Sequence, residues 1–181
     1  MKALQRIDRK FWPLLITVTL FVLLYLFGVM QYRGFSSPQV FANLLIDNAF
    51  LLITSIGMTF VILSGGIDLS VGAVIAFTTV FSAWLLETKG LGPGVVIPLV
   101  LLCGTSLGAL HGAIIHFFKV QPFIVTLAGM FFARGMCFVI STTAMTINDP
   151  FFRAWGLYRI PLGGKTFISI NVVIVIVVLV V

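Results

Sequence analysis

The sequence predicts an all-α fold, a polytopic bundle of transmembrane helices with about five complete spans and a truncated sixth. Its 181 residues are 60% hydrophobic and only 9% charged, whereas soluble domains carry about 25% charged residues. The apolar residues form successive runs along the whole chain, most of them near the roughly 20 residues that a bilayer crossing needs. So few charges exclude a disordered tail, a nucleic-acid-binding domain and an ordinary cytosolic enzyme.

The first apolar run, residues 13–30, follows a segment that is rich in basic residues. Such a segment favours a cytoplasmic location, so residues 1–12 are predicted to be a cytoplasmic N-terminus and residues 13–181 a transmembrane domain. The run is long for a signal peptide and no A-x-A-like cleavage site follows it. We therefore expect an uncleaved first helix.

Four further runs are predicted to be complete spans, at residues 44–64, 71–86, 95–118 and 123–141. Polar links separate the runs at residues 31–43, 65–70, 87–94 and 119–122. Residues 142–169 form the longest polar stretch, and the last apolar run starts near Ile170. About 12 apolar residues cannot cross a bilayer, so we expect an incomplete sixth helix and the N-terminal part of a longer protein.

The orientation of the spans follows by alternation from a cytoplasmic N-terminus. Residues 65–70 and 119–122 are then predicted on the inside, and residues 87–94 and 142–169 on the outside. Lys and Arg residues are equally numerous on the two predicted sides, so the basic cluster before the first helix decides the orientation.

The segment Gly65-Gly66-Ile67-Asp68-Leu69-Ser70 is the most unusual break between two apolar runs. The glycines permit a positive φ, and Asp68 or Ser70 can cap the helix that follows. Two interpretations stay open. One is a tight turn at the membrane face, which the six residues alone favour. The other is a helix broken inside the bilayer that lines a pathway, as in transporters.

Asp68 and Arg134 are the charged residues that lie deepest among the predicted spans. Charged groups within a membrane face a protein interior or a water-filled cavity and have partners. The two residues could pair with each other, or Arg134 could extend its side chain to the interface or bind backbone carbonyls.

Small residues spaced by four positions predict where the helices approach one another closely. They occur as Gly104, Gly108 and Gly112 on the fourth run and as Gly129 and Ala133 on the fifth. This pattern indicates that the helices pack into one bundle.

The sequence predicts no catalytic site and no metal site. Paired carboxylates, a GxSxG sequence, a Walker A motif and a Rossmann glycine set do not occur. His111 and His116 would point about 140° apart on a helix, and Cys103 and Cys137 lack a CxxC spacing. We therefore expect no cofactor in this chain, no ATP-hydrolysing machinery and no nucleic-acid partner.

Two segments resemble the signature motifs of a known family. The first is GMTFVILSGGIDLSVG at residues 57–72, and the second is QPFIVTLAGM at residues 121–130, followed by Arg134-Gly135. In this order, about fifty residues apart, they resemble the permease subunits of bacterial ABC importers for monosaccharides, the ribose/galactose-type family. The residues around Asp47-Asn48-Ala49-Phe50 are most similar to the galactofuranose importers of that family.

The resemblance implies a permease of the bacterial inner membrane, surrounded by lipid, of which this chain covers about the first half. It implies a second permease subunit, a cytoplasmic ATP-binding subunit and a periplasmic sugar-binding protein as partners. The transported substrate would be a monosaccharide, galactofuranose-like, and ATP would be hydrolysed on the partner subunit. His111 stands where the family frequently has Asn before Gly112, which puts the role of that Asn in doubt here.

A path for a neutral, hydroxyl-rich sugar needs weak and replaceable hydrogen bonds. The candidate path residues are therefore the polar side chains in or beside the spans: Asn48, Thr59, Ser64, Asp68, Ser70, Gln121 and Thr126. The positions that form the structural motif are Gly65, Gly66 and Arg134, together with the glycines of the fourth run.

Two other functions remain as alternatives, an ion-coupled secondary carrier or channel and an integral membrane enzyme that acts on lipids. A carrier usually depends on carboxylates within the membrane, and only Asp47 and Asp68 qualify, both at the ends of runs. An enzyme needs a catalytic constellation that the sequence lacks. Neither alternative accounts for the two motifs.

Overall fold

The computed structural model describes residues 11–163 and 166–180. Outside them lie Lys165 and four basic residues of the predicted cytoplasmic N-terminus, Lys2, Arg6, Arg9 and Lys10. The helices of the described residues are α1 (Trp12–Gln31), α2 (Pro38–Asp47), α3 (Ala49–Leu63), α4 (Val71–Ala83), α5 (Pro93–Phe118), α6 (Pro122–Ile140), α7 (Pro150–Leu157) and α8 (Ile170–Val180). A π-helical turn (Trp84–Thr88) follows α4, and β1 (Arg159–Gly163) and β2 (Thr166–Ser169) form a two-stranded sheet.

The predicted all-α, multi-span fold is confirmed. Within the described residues, four helical segments are long and apolar enough to cross a membrane: α1, α4 with its π turn, α5 and α6. The number is five if α2 and α3 form one broken span. The helix α8 is apolar but shorter, and the small sheet within the long polar stretch is an addition that the sequence pattern does not predict.

The second predicted span differs from its sequence pattern. Residues 31–43 are not a polar link throughout, because α2 already begins at Pro38. Proline is favoured in the first turn of a helix, where its missing N–H has no intrahelical acceptor. The helix α2 ends at Asp47, and Asn48, with φ −106° and ψ 10°, separates it from α3. The predicted run 44–64 is therefore two helices.

The chain divides into two compact units, Met1–Asp47 with Pro161–Ile168 and Asn48–Ile160 with Ser169–Val181. In the first unit, Gln39 on α2 pairs with the backbone of Phe167 on β2. Gln39 Oε1 accepts from Phe167 N at 2.8 Å, and Gln39 Nε2 donates to Phe167 O at 3.4 Å. The amide side chain thus acts like a neighbouring strand and satisfies both backbone groups.

The second unit is built around the contact between α4 and α6. Ala73 and Phe77 on α4 form a buried cluster with Ala133 on α6, which is 0% exposed. Small residues at such a crossing let the two backbones approach, and close packing drives helix association in lipid. The helix α5 packs against both α4 and α6, and α3 packs against α8.

A second cluster lies beyond the C-terminal end of α4. Leu85 and Leu86 of the π turn are buried there with Val96 of α5, and Phe152 of α7 packs against them. The π turn extends the third span to Thr88, so the span is longer than the apolar run at residues 71–86 predicts.

Candidate functional site

The break between α3 and α4 begins with a Schellman motif. Gly65 N donates to Ile62 O at 3.0 Å, and Gly66 N donates to Val61 O at 3.1 Å. Gly65 has a φ of +76°, the left-handed conformation that costs residues with a side chain about 1–2 kcal/mol. The predicted positive φ is confirmed at Gly65, and the two hydrogen bonds satisfy carbonyls at the end of α3.

Asp68 and Ser70 form a compact polar turn in front of α4. Asp68 Oδ1 accepts from Ser70 N at 2.7 Å and from Ser70 Oγ at 2.6 Å. Ser70 is at the N-cap position and only 2% exposed, but its side chain makes no capping bond. The predicted capping is wrong for the side chain of Ser70, whose hydroxyl donates to the carboxylate in a charge-assisted bond. Asp68 does accept from a free backbone N–H at the start of α4, that of Ser70 itself.

Thr126 connects the break to α6. Its Oγ1 lies 3.1 Å from Ile67 O in the break and 2.9 Å from Pro122 O in its own helix. Thr126 is only 3% exposed. The carbonyl of Ile67 lies outside any helix, and the Thr126 hydroxyl supplies it with a donor. The two sequence motifs are therefore in contact in the fold.

The links at the other end of α4 and α5 also meet each other. Glu87 Oε1 accepts from Asn148 N at 2.6 Å, which joins the link at 87–94 to the stretch at 142–169. The break at 65–70 meets the start of α6, directly after the link at 119–122. The alternating direction of the spans predicts which links share a side of the membrane. Links that are predicted to share a side lie at the same end of this unit.

The other candidate path residues are spread over the second unit. Asn48 precedes α3 and Ser64 follows it, which separates them by roughly 22 Å along the helix axis. Thr59 Oγ1 donates to Ser55 O at 2.8 Å, and Ser64 Oγ donates to Val61 O at 2.7 Å.

Gln121 is at the N-cap position of α6, without a side-chain capping bond. Of the seven candidate path residues, Asp68, Ser70 and Thr126 are brought together around Ile67. Ser64 adjoins this group along the chain, while Asn48 and Thr59 do not belong to it.

Arg134 is exposed on α6, two turns beyond Thr126, which places it roughly 12 Å further along the helix axis. Within the described part of the chain it makes no hydrogen bond or ion pair. The possible pair between Asp68 and Arg134 is therefore not formed, and Asp68 is held by Ser70 instead.

The three glycines spaced by four positions on α5 pack less closely than predicted. A Cβ at Gly104 would lie 4.0 Å from Thr78 Cγ2, but Gly108 and Gly112 have no described neighbour within 4 Å. The prediction of close packing is wrong for these two glycines. On α6, Gly129 and Ala133 are buried as predicted.

The helices α5 and α6 are in tight contact at Gly129. The imidazole of His111 lies against this glycine, and a Cβ added there would overlap His111 Nε2 and Cε1. His111 therefore has a packing role that its spacing from His116 does not reveal. Sequence reasoning also missed the Ile67 carbonyl and the Glu87–Asn148 bond, because a backbone acceptor has no side-chain signature and a link residue has no fixed direction.

A family model described as the permease component of branched-chain amino acid transport systems matches residues 40–181. This range contains the break, Thr126 and both sequence motifs. The chain belongs to this family of transport permeases. The resemblance stated from the motifs is thereby confirmed at the level of a transport permease.

Several curated relatives of this chain match most of its length. The inner membrane ABC transporter permease protein YjfF of Escherichia coli K12 is 50% identical over 155 residues, which are 84% of this chain and 47% of the relative. The fructose import permease protein FruG of Bifidobacterium longum is 40% identical over 141 residues, 78% of this chain and 41% of the relative. The ribose import permease protein RbsC of Escherichia coli K12 is 34% identical over 156 residues, 82% and 47% of the two chains.

The chain spans less than half the length of each of these relatives. All three are named as permeases, none as an enzyme. No solved structure matches the chain.

Proposed function

We propose that this chain is part of the permease subunit of an ABC importer that carries a monosaccharide across the bacterial inner membrane. Family membership supports this proposal, and so do relatives named as fructose and ribose import permeases. The observation that carries it is the contact of Thr126 with Ile67. This contact holds the two segments that carry the family resemblance against each other in the fold.

The hydroxyl groups near the break suit a neutral sugar. The exposed hydroxyl of Ser64 donates to the Val61 carbonyl, so its proton is occupied while its oxygen lone pairs can still accept. A sugar hydroxyl could donate to them in bonds that form and break without trapping the substrate. Asp68 Oδ1 accepts both hydrogen bonds from Ser70, which gives this carboxylate a structural role in the turn.

The permease would work with partners. We propose a second permease subunit, a cytoplasmic ATP-binding subunit that hydrolyses ATP, and a periplasmic protein that delivers the sugar. Two arrangements of the helix bundle would alternate around the path. The N-terminus would be cytoplasmic, and this chain would need no cofactor of its own.

The substrate would be galactofuranose-like. The sequence around Asp47-Asn48-Ala49-Phe50 supports this through its similarity to galactofuranose importers. The test deletes the full-length gene in its host and measures uptake of labelled galactofuranoside, ribose and fructose. We expect loss of uptake of one of these sugars, galactofuranoside first, and recovery with a plasmid copy.

A sugar that enters through an unrelated transporter controls for membrane integrity in this assay. Uptake of all three sugars at the wild-type rate in the deletion strain would contradict the proposed function. Loss of ribose or fructose uptake alone would retain the importer and overturn the galactofuranose assignment.

A further inference from the structure

An aromatic pocket lies beside the short helix α7. Phe151, Trp155 and Tyr158 line it together with Ala154 and Ile170, and its volume is about 290 Å³. The rings of Phe151 and Trp155 are 5.8 Å apart, with 35° between their planes. Residues three and four positions apart share one helix face, so α7 presents an aromatic face to this pocket.

The residue that packs α7 onto its unit lies next to this aromatic face. Phe152 packs against the buried cluster of Leu85, Leu86 and Val96, and its ring meets that of Phe151 edge to face at 5.7 Å. The rings of Phe151, Trp155 and Tyr158 are nevertheless all exposed.

The indole of Trp155 is held in a fixed orientation. Trp155 Nε1 donates to Asn171 Oδ1 at 2.9 Å. A tryptophan that anchors a protein at a membrane interface normally directs its N–H to water and head groups. Here the N–H is used within the protein, which fixes the ring and distinguishes Trp155 from such an anchor.

The lining of the pocket is suited to a neutral ligand of one ring. No charged side chain is among its described lining residues, and Tyr158 brings a side chain with a hydroxyl group to the lining. The volume is just below the roughly 300 Å³ at which the usual range of small-ligand sites starts. A monosaccharide offers a face of C–H groups that can stack on aromatic rings and a rim of hydroxyl groups that can bond to Tyr158.

We propose that this pocket binds one monosaccharide ring before the sugar enters the path. The proposal rests on the proposed function of the chain as a sugar importer. Asn148, which bonds Glu87, immediately precedes Asp149 at the N-cap of α7. This end of the unit is the one predicted to face outward, the side from which an importer takes its sugar.

The test measures sugar binding to the complete transporter in lipid nanodiscs without the periplasmic protein. The probes are labelled D-ribose, D-fructose and methyl β-D-galactofuranoside. The variants are Trp155→Ala and Tyr158→Ala, and the matched control is Leu157→Ala, because Leu157 is on the same helix, 72% exposed and not part of the lining. We expect saturable binding of one sugar, weakened about fivefold by each pocket variant and unchanged by the control.

The outcomes separate this proposal from the proposed function. Tyr158→Ala keeps the Trp155–Asn171 hydrogen bond, so this variant still tests the pocket if Trp155→Ala does not fold. Unchanged binding in the folded pocket variants, or an equal loss of binding in the Leu157→Ala control, would overturn the pocket, while loss of sugar uptake in the gene-deletion strain would still support the importer. No saturable binding of any probe, together with wild-type uptake in the deletion strain, would overturn both proposals.

Discussion

Asp68 is the residue on which the polar turn before α4 depends. Its Oδ1 accepts from both the backbone and the hydroxyl of Ser70, and Ser70 is buried. Asp68→Ala leaves these donors unpaired, at a cost of about 1–3 kcal/mol, so we expect a lower thermal midpoint and slower sugar uptake of the full-length permease. Asp68→Asn keeps the acceptor and should stay closer to wild type. Equal midpoints and uptake for Asp68→Ala and wild type would contradict this role.

Gly65 is the residue whose backbone requires the absence of a side chain. At a φ of +76°, an alanine costs roughly 1 kcal/mol or more in strain, so Gly65→Ala should lower the thermal midpoint. Gly57→Ala is the matched control, because Gly57 is in α3 and has open space around its Cα. If the two variants unfold at the same temperature, the Schellman motif does not set the end of α3.

At the residue scale the sequence predicts local conformation better than it predicts partners. The positive φ of Gly65 follows from a glycine pair at the end of an apolar run. The contact of Thr126 with Ile67 does not, because its acceptor is a backbone carbonyl 59 positions away. The Asp68–Arg134 pair fails for a similar reason, since the position of Arg134 relative to Asp68 depends on how α6 packs.

At the scale of helices, the crossing of α5 and α6 depends on His111 and Gly129. A Cβ at Gly129 would overlap the imidazole, and overpacking typically costs about 1–3 kcal/mol. Gly129→Ala should therefore destabilise the permease, and the double variant His111→Ala with Gly129→Ala should recover much of the loss.

The control for this pair is Gly108→Ala, because Gly108 is on α5 and has no described neighbour within 4 Å. Thermal unfolding of the detergent-solubilised full-length permease is measured for wild type, the single variants Gly129→Ala and His111→Ala, the double variant and the Gly108→Ala control. Additive effects of the two substitutions, with no recovery, would show that the imidazole does not pack on Gly129.

Apolar runs locate the helices but do not fix their rotation or their breaks. The run at 44–64 predicts one helix, yet Asn48 separates α2 from α3. The glycines spaced by four positions on α5 predict close packing, yet a Cβ at Gly108 or Gly112 would have no described neighbour within 4 Å. Spacing along a helix identifies a small-residue face but does not identify the helix that packs on it.

At the scale of the whole chain, contacts between the segments that link the helices define two ends of the second unit. Lys119 is exposed near the break, and Lys89 is exposed in the link that bonds Asn148 through Glu87. In a background without Cys103 and Cys137, we expect Lys89→Cys to react with a membrane-impermeant maleimide in intact spheroplasts. Lys119→Cys should react only after permeabilisation. Labelling of both in intact spheroplasts would contradict the alternation, and the reverse pattern would place the N-terminus outside.

Composition and run length are sufficient to predict the membrane class and four of the spans, because lipid imposes long apolar helices on any chain that crosses it. They are not sufficient to predict the aromatic pocket beside α7. Its three rings lie in the polar stretch at 142–169 and meet Ile170 through tertiary packing, which no local pattern encodes.

The central claim is that this chain belongs to a sugar importer driven by ATP. The most direct test reconstitutes the full-length permease with its ATP-binding subunit in liposomes and adds the loaded periplasmic protein. We predict accumulation of labelled monosaccharide when ATP is supplied on the side of the ATP-binding subunit, and none with a proton or sodium gradient alone. Accumulation driven by an ion gradient without ATP would contradict the claim and identify a secondary carrier.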